Sequence, residues 1–130
     1  MRSSLDRRTR VLFVNSALLI GADTRIHFLV LRNLPRDRFE LYAAGQTGSP
    51  SPAFDELRVI PDVALRPTNF GPSLWRRSNL QKLASLAGSP LVAASLLGLA
   101  AHIRRQKIEI LHSTDRPRDA IACVVLAALT

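Results

Sequence analysis

The chain holds one cysteine, Cys123, so no intrachain disulfide can form. That absence fits a reducing, cytoplasmic setting. The residue sits in Ala-Cys-Val-Val-Leu, an apolar stretch, which points to a buried structural thiol and not to a nucleophile in an electropositive, exposed site. Aromatic residues make up only 5% of the sequence and do not interleave with the basic clusters. Base stacking needs that interleaving, so nucleic acid is not an expected partner. Carboxylates number 10 against 18 Lys and Arg. Among them Asp37, Glu40, Asp55, Glu56 and Glu109 form no acid pair, and no second His or carboxylate stands at a metal-ligand spacing. No GxGxxG and no GxxxxGK[ST] occurs, so the dinucleotide and P-loop classes lack their fingerprint.

Long uninterrupted apolar runs are also missing. Val11 to Gly21 follows basic residues and imitates a signal peptide, but Asn15 and Ser16 interrupt it and Asp23 follows. Leu83 to Ala101 is 19 residues without a charge, long enough for a membrane span. Gly88-Ser89-Pro90 breaks it, so it reads as two helical pieces. A role at a membrane surface stays open.

What is present is the composition of a globular α/β domain. The chain has 130 residues, 47% of them hydrophobic, with Leu and Ala carrying most of that mass. Met1 to Thr9 reads as a flexible basic tail. Arg10 to Asn15 is a short apolar strand of the kind buried on both faces of a parallel sheet. From Ala22 or Asp23 a helix follows, with Ile26, Leu29, Val30 and Leu34 as its apolar stripe and Pro35 as its stop. Phe39 to Ala44 is a second strand closed by Gly45, and Phe54 to Arg58 is a helical turn. Val59-Ile60 and Val63 to Arg66 form a third strand around Pro61, and Pro67 to Pro72 is a loop. Leu74 to Ala87 is helical. Ser89-Pro90 then starts a helix that runs to about Gln106. Ile108 to His112 is the fourth strand, and Asp119 caps a last helix over Ala120 to Leu129. Strands separated by helices predict a Rossmann-like, doubly wound parallel sheet. Ligands of such sheets bind beyond the carboxyl ends of the strands, here Asn15 to Asp23 and His112 to Arg118.

The net charge is +8, gathered at Arg2, Arg7, Arg8 and Arg10, at Arg76, Arg77 and Lys82, at Arg104, Arg105 and Lys107, and at Arg116 and Arg118. This suits phosphate or anionic lipid, and equally a set of solvated helix ends. In the first loop Gly21 lets backbone approach a ligand, and the helix after it offers free N–H groups to an anion; an ordinary turn glycine is the plain alternative. His112, Ser113, Thr114, Asp115 and Arg116 form the densest polar group. There His112 could orient a hydroxyl or phosphate, and Arg116 or Arg118 could hold an anion. His27 and His102 fall within helices and read as structural.

The succession Arg10-Val-Leu-Phe-Val, Gly21-Ala-Asp-Thr-Arg, Phe39-Glu-Leu-Tyr-Ala-Ala and Ile108-Glu-Ile-Leu-His112 resembles the N-terminal domain of family 4 glycosyltransferases of the GT-B fold. In that family a glycine loop, often Gly-Gly with an acidic residue after it, follows the first strand, and a later strand commonly reads Asp-Ile-Val-His. Here Ala22 follows Gly21, Asp23 takes the acidic place, and Glu109 replaces the Asp. The resemblance spans Arg10 to Thr130. It implies an incomplete acceptor-side domain over residues 10–130, inactive alone, of an enzyme that moves a sugar from a nucleotide-sugar donor without a metal or other cofactor. The donor would bind a C-terminal domain that this sequence lacks. The acceptor, a sugar or a polyprenyl-linked or other lipid, would meet Gly21, Ala22, Asp23, His112, Asp115 and Arg116, with the basic faces at an anionic membrane. The family's catalytic histidine follows a later strand, so its role does not pass to His112.

Two other classes stay open: a non-catalytic doubly wound domain that binds a nucleotide or a protein, and a small membrane-surface protein using Leu83 to Ala101. A phosphoacceptor receiver domain is disfavoured, because the first strand ends in Asn15 with no acidic pair after it.

Overall fold

The computed structural model describes residues 7–48, 50–71, 78 and 90–130. Four strands, β1 (Thr9–Asn15), β2 (Phe39–Gln46), β3 (Val63–Thr68) and β4 (Ile110–Ser113), alternate with α1 (Ala22–Asn33), α2 (Pro52–Arg58), α3 (Pro90–Gln106) and α4 (Pro117–Leu129). The expected helix over Leu74 to Ala87, apart from Ser78, and the tail before Arg7 lie outside the described residues.

The strands form one sheet in the order β3-β2-β1-β4, and every neighbouring pair is parallel. The alternation of side chains along β1 explains why its sequence is apolar throughout. Val11 and Phe13 join Phe28 and Leu31 of α1 and Ala53 and Leu57 of α2 on one face. Leu12 and Val14 join Leu99 and Ile103 of α3 and Ala122 and Leu126 of α4 on the other. The protein is thus an α/β layered domain of Rossmann-like form.

Several expectations are corrected. The helix α1 forms where expected but turns the other way. Thr24, Phe28 and Leu31 are buried, while Ile26, Leu29 and Val30 are 60%, 55% and 41% exposed. Residues 26 to 31 are apolar almost all round, so the helical period has two solutions, and the one that buries the large Phe28 against the sheet prevails. The third strand excludes Val59 and Ile60, which close α2, and includes Pro67. Proline is tolerated because β3 lies at the edge of the sheet.

The second strand runs through Gly45 to Gln46. A Cβ at Gly45 would stand 2.9 Å from Phe54 Cδ2 and 3.2 Å from Leu57 Cδ1, so glycine there lets α2 pack on the strand. At the end of α3, the N–H of Lys107 bonds Arg104 O and that of Ile108 bonds Ile103 O. Lys107 has φ 51°. This is a Schellman closure, which uses up Ile108 and delays β4 to Ile110. No described helix is long and apolar enough to cross a membrane.

Candidate functional site

The central strand β1 has β2 on one side and β4 on the other. After β1 the chain passes to α1 in one layer, and after β4 it passes to α4 in the other. The two loops diverge at this reversal of strand order, and the carboxyl ends of β1 and β4 are the place where sheets of this kind have their ligand crevice.

Asp119 ties the crevice together. It lies in the first turn of α4, which begins at Pro117 and not at Ala120, so Asp119 is inside the helix and does not cap it. Its side chain is fully buried. Oδ1 accepts the backbone N–H of Ser16 at 2.9 Å, and Oδ2 accepts the hydroxyl of Thr114. The neighbouring Arg118 donates to Ser16 O at 2.5 Å and to Gly71 O at 2.6 Å. Burial pulls its guanidinium below the usual arginine value, and the Asp119 charge opposes this. Arg118, read from the sequence as an anion holder, is thus committed to two carbonyls.

At the rim Arg116 Nε donates to Asp23 Oδ2 at 3.1 Å. Burial tends to raise the Asp23 carboxyl. The Thr24 backbone N–H and the Arg116 guanidinium outweigh it, so the group titrates below the usual range. A Cβ at Gly21 would stand 2.8 Å from Asp23 Oδ1 and 3.9 Å from Arg116 Nη2, so Gly21, Asp23 and Arg116 are neighbours. Ala22 and Asp115, next to these in sequence, are exposed.

His112 is engaged elsewhere. Its Nε2 lies 2.9 Å from Nδ1 of His27, and its ring packs on Phe13 with centroids 4.5 Å apart. One imidazole donates to the bare nitrogen of the other. Burial first, then the neighbouring His27, lowers the pKa of His112. The two rings pin α1 to β4, and neither bonds Asp23 or Arg116 in this arrangement.

Three buried polar atoms at this end of the sheet, Asn15 Nδ2, Ser16 Oγ and Thr24 Oγ1, have no hydrogen-bond partner among the described residues. Asn15 Oδ1 is used, accepting the N–H of Ala17 at 2.9 Å. The hydroxyls of Ser16 and Thr24 can each donate and accept. Thr24 lies in the first turn of α1 and Ser16 directly follows β1, and two such hydroxyls suit a ligand with hydroxyl or anionic oxygens.

The chain also has an apolar groove of about 200 Å³ lined by Phe70, Val92, Leu96, Arg118, Ile121 and Val125. It belongs to the α3/α4 layer, and its one charged group is the guanidinium already bound to carbonyls. Among the described residues no three of His, Cys, Asp and Glu gather as metal ligands. No protein-family model matches the chain, and comparison with curated proteins and with solved structures likewise finds no match.

Proposed function

We propose that the chain is the acceptor-side part of a GT-B glycosyltransferase of the family 4 kind, which takes a sugar from a nucleotide-sugar donor held by a second domain. The observation that carries this reading is the pair of buried, unpartnered hydroxyls of Ser16 and Thr24 on either side of the Gly21 loop. Sugar hydroxyls and phosphate oxygens are the groups such a pair would hydrogen-bond, and Arg116 and Asp23 would border them. Two further surfaces favour a larger domain. Among the described residues no strand lies beyond the β4 edge, and Ile110, Ile121 and Val124 are 45%, 50% and 71% exposed. Another strand and helix would cover them. The acceptor would be a sugar or a polyprenyl-linked lipid at the cytoplasmic face of an anionic membrane.

The test is transfer of labelled sugar from UDP- and GDP-sugars to polyprenyl phosphate and glycolipid acceptors by the full-length protein. Thr24→Val, which keeps the side-chain volume, is expected to raise the acceptor KM about tenfold, the value of one lost hydrogen bond to a ligand. Failure to transfer from any donor overturns the assignment.

A second reading draws on the rim itself. Arg116, Arg118 and Asp119 all bond groups of the protein, which favours a non-catalytic binding domain in which these charges serve structure. Nucleotide binding to the folded chain without turnover would select it.

A further inference from the structure

We infer that the outward face of α1 is a docking surface for an anionic lipid bilayer. This rests on the membrane-surface part of the proposed function and not on sugar transfer, so the two can fail separately.

The helix α1 buries Thr24, Phe28 and Leu31. At 100° per residue, Ala22, Ile26, Leu29 and Asn33 then line the opposite side, with Val30 next to them. Ile26 and Leu29 are each more than half exposed. Arg25 and Arg32, about two helical turns apart, form a single flank of this strip, and both are exposed. Leu18 and Leu19, in the loop that leads into the helix, are 39% and 69% exposed. The carbonyl of Leu18 accepts the N–H of Ala53 at 3.1 Å, which sets this loop in the α1/α2 layer.

The one carboxylate of α1, Asp23, is turned to the crevice and paired with Arg116. Glu56 of α2 reaches the flank and is held by Arg32 at 3.1 Å. The outward strip is therefore apolar, edged by Arg25 and by the ion pair of Arg32 with Glu56, which line one concavity with Leu29; α1 itself adds no carboxylate to it.

A helix face of aliphatic side chains edged by arginine is the pattern that lies in the plane of a membrane interface. Charge selects the occupant. A chain of net charge +8 is drawn to anionic lipid and repelled by a second copy of itself. Leu83 to Ala101, the segment left open for a membrane-surface role, is not part of this face; the part of it that is described lies within α3.

The experiment is flotation of the chain with vesicles of equal phosphatidylglycerol and phosphatidylcholine, and with pure phosphatidylcholine. The chain is expected to float with the first and not the second, and less well as salt rises. Leu29→Glu should lower partitioning at least about tenfold. Arg25→Gln with Arg32→Gln should lower it about fivefold per charge. Ile121→Glu, on the exposed side of α4, should leave it unchanged. The altered side chains face solvent, so circular dichroism should match the parent; if Leu29→Glu fails to fold, the arginine pair carries the test. Absence of flotation, equal binding to pure phosphatidylcholine, or unchanged binding by folded Leu29→Glu or by the folded arginine pair overturns the inference. Capture of an acidic protein without flotation does so too, in favour of a protein partner.

Discussion

Asp119 and Ser16 lie 103 residues apart in the chain, and the carboxylate of one accepts the backbone N–H of the other at 2.9 Å. This bond, with the one from Thr114, joins the end of β1 to the start of α4. Asp119→Ala would strand a buried N–H and a buried hydroxyl. It is expected to cost about 2–4 kcal/mol, read from urea unfolding. Asp119→Asn keeps one acceptor and should cost less. Equal losses from the two variants would remove the hydrogen bonds as the cause.

Gly45→Ala forces a methyl to 2.9 Å from the Phe54 ring. The helix α2 must shift, with a loss of about 1–3 kcal/mol. Phe54→Leu in the same chain should recover part of it. A thermal scan of the single and double variants shows whether it does.

Acid should weaken the fold in a defined window. Burial, then Arg66 and Arg105, lowers the pKa of His102, as burial and His27 lower that of His112. The folded state therefore binds these protons more weakly than the unfolded chain. Their contribution is complete above the ordinary histidine value of about 6.5 and drains away as pH falls through the lowered folded values. Asp23 and Glu40 also titrate low, but they do so below the carboxylate range, outside this window. The Tm should fall between about pH 7 and pH 5, and the fall should be shallower in His102→Gln and in His112→Gln. Parallel curves for all three proteins would remove histidine as the source.

The Cys123 thiol is pushed up to about 11 by burial and then by the Asp119 charge. Ellman's reagent near neutral pH should react slowly with the folded chain and fast after denaturation. Asp119→Asn should speed the folded reaction.

The strand and helix order was legible because β1 and β2 are short apolar runs bounded by turn residues, and Pro90 marks the start of α3. The facing of α1 was not, since a segment with Ile26, Phe28, Leu29, Val30 and Leu31 offers two apolar stripes and only the sheet chooses between them. At the crevice, Gly21, Asp23 and Arg116 could be picked out locally and do meet. The pairing of His27 with His112, and of Asp119 with Ser16, depends on contacts 85 and 103 residues apart, which no local pattern encodes. The local signal for Asp119 is an acidic residue at a helix start, which suggests a cap; that the helix begins at Pro117 and the carboxylate turns inward to Ser16 is not contained in it.

Pro67 sits in β3, the outermost strand on one side of the sheet. It has no N–H, so an incoming strand on that side would meet a break in the row of donors. The outermost strand on the other side, β4, runs Ile110–Ser113 with no proline in it. The two flanks of the sheet are thus unequal: the one with Pro67 offers a partner strand one donor fewer, while the other offers an unbroken row.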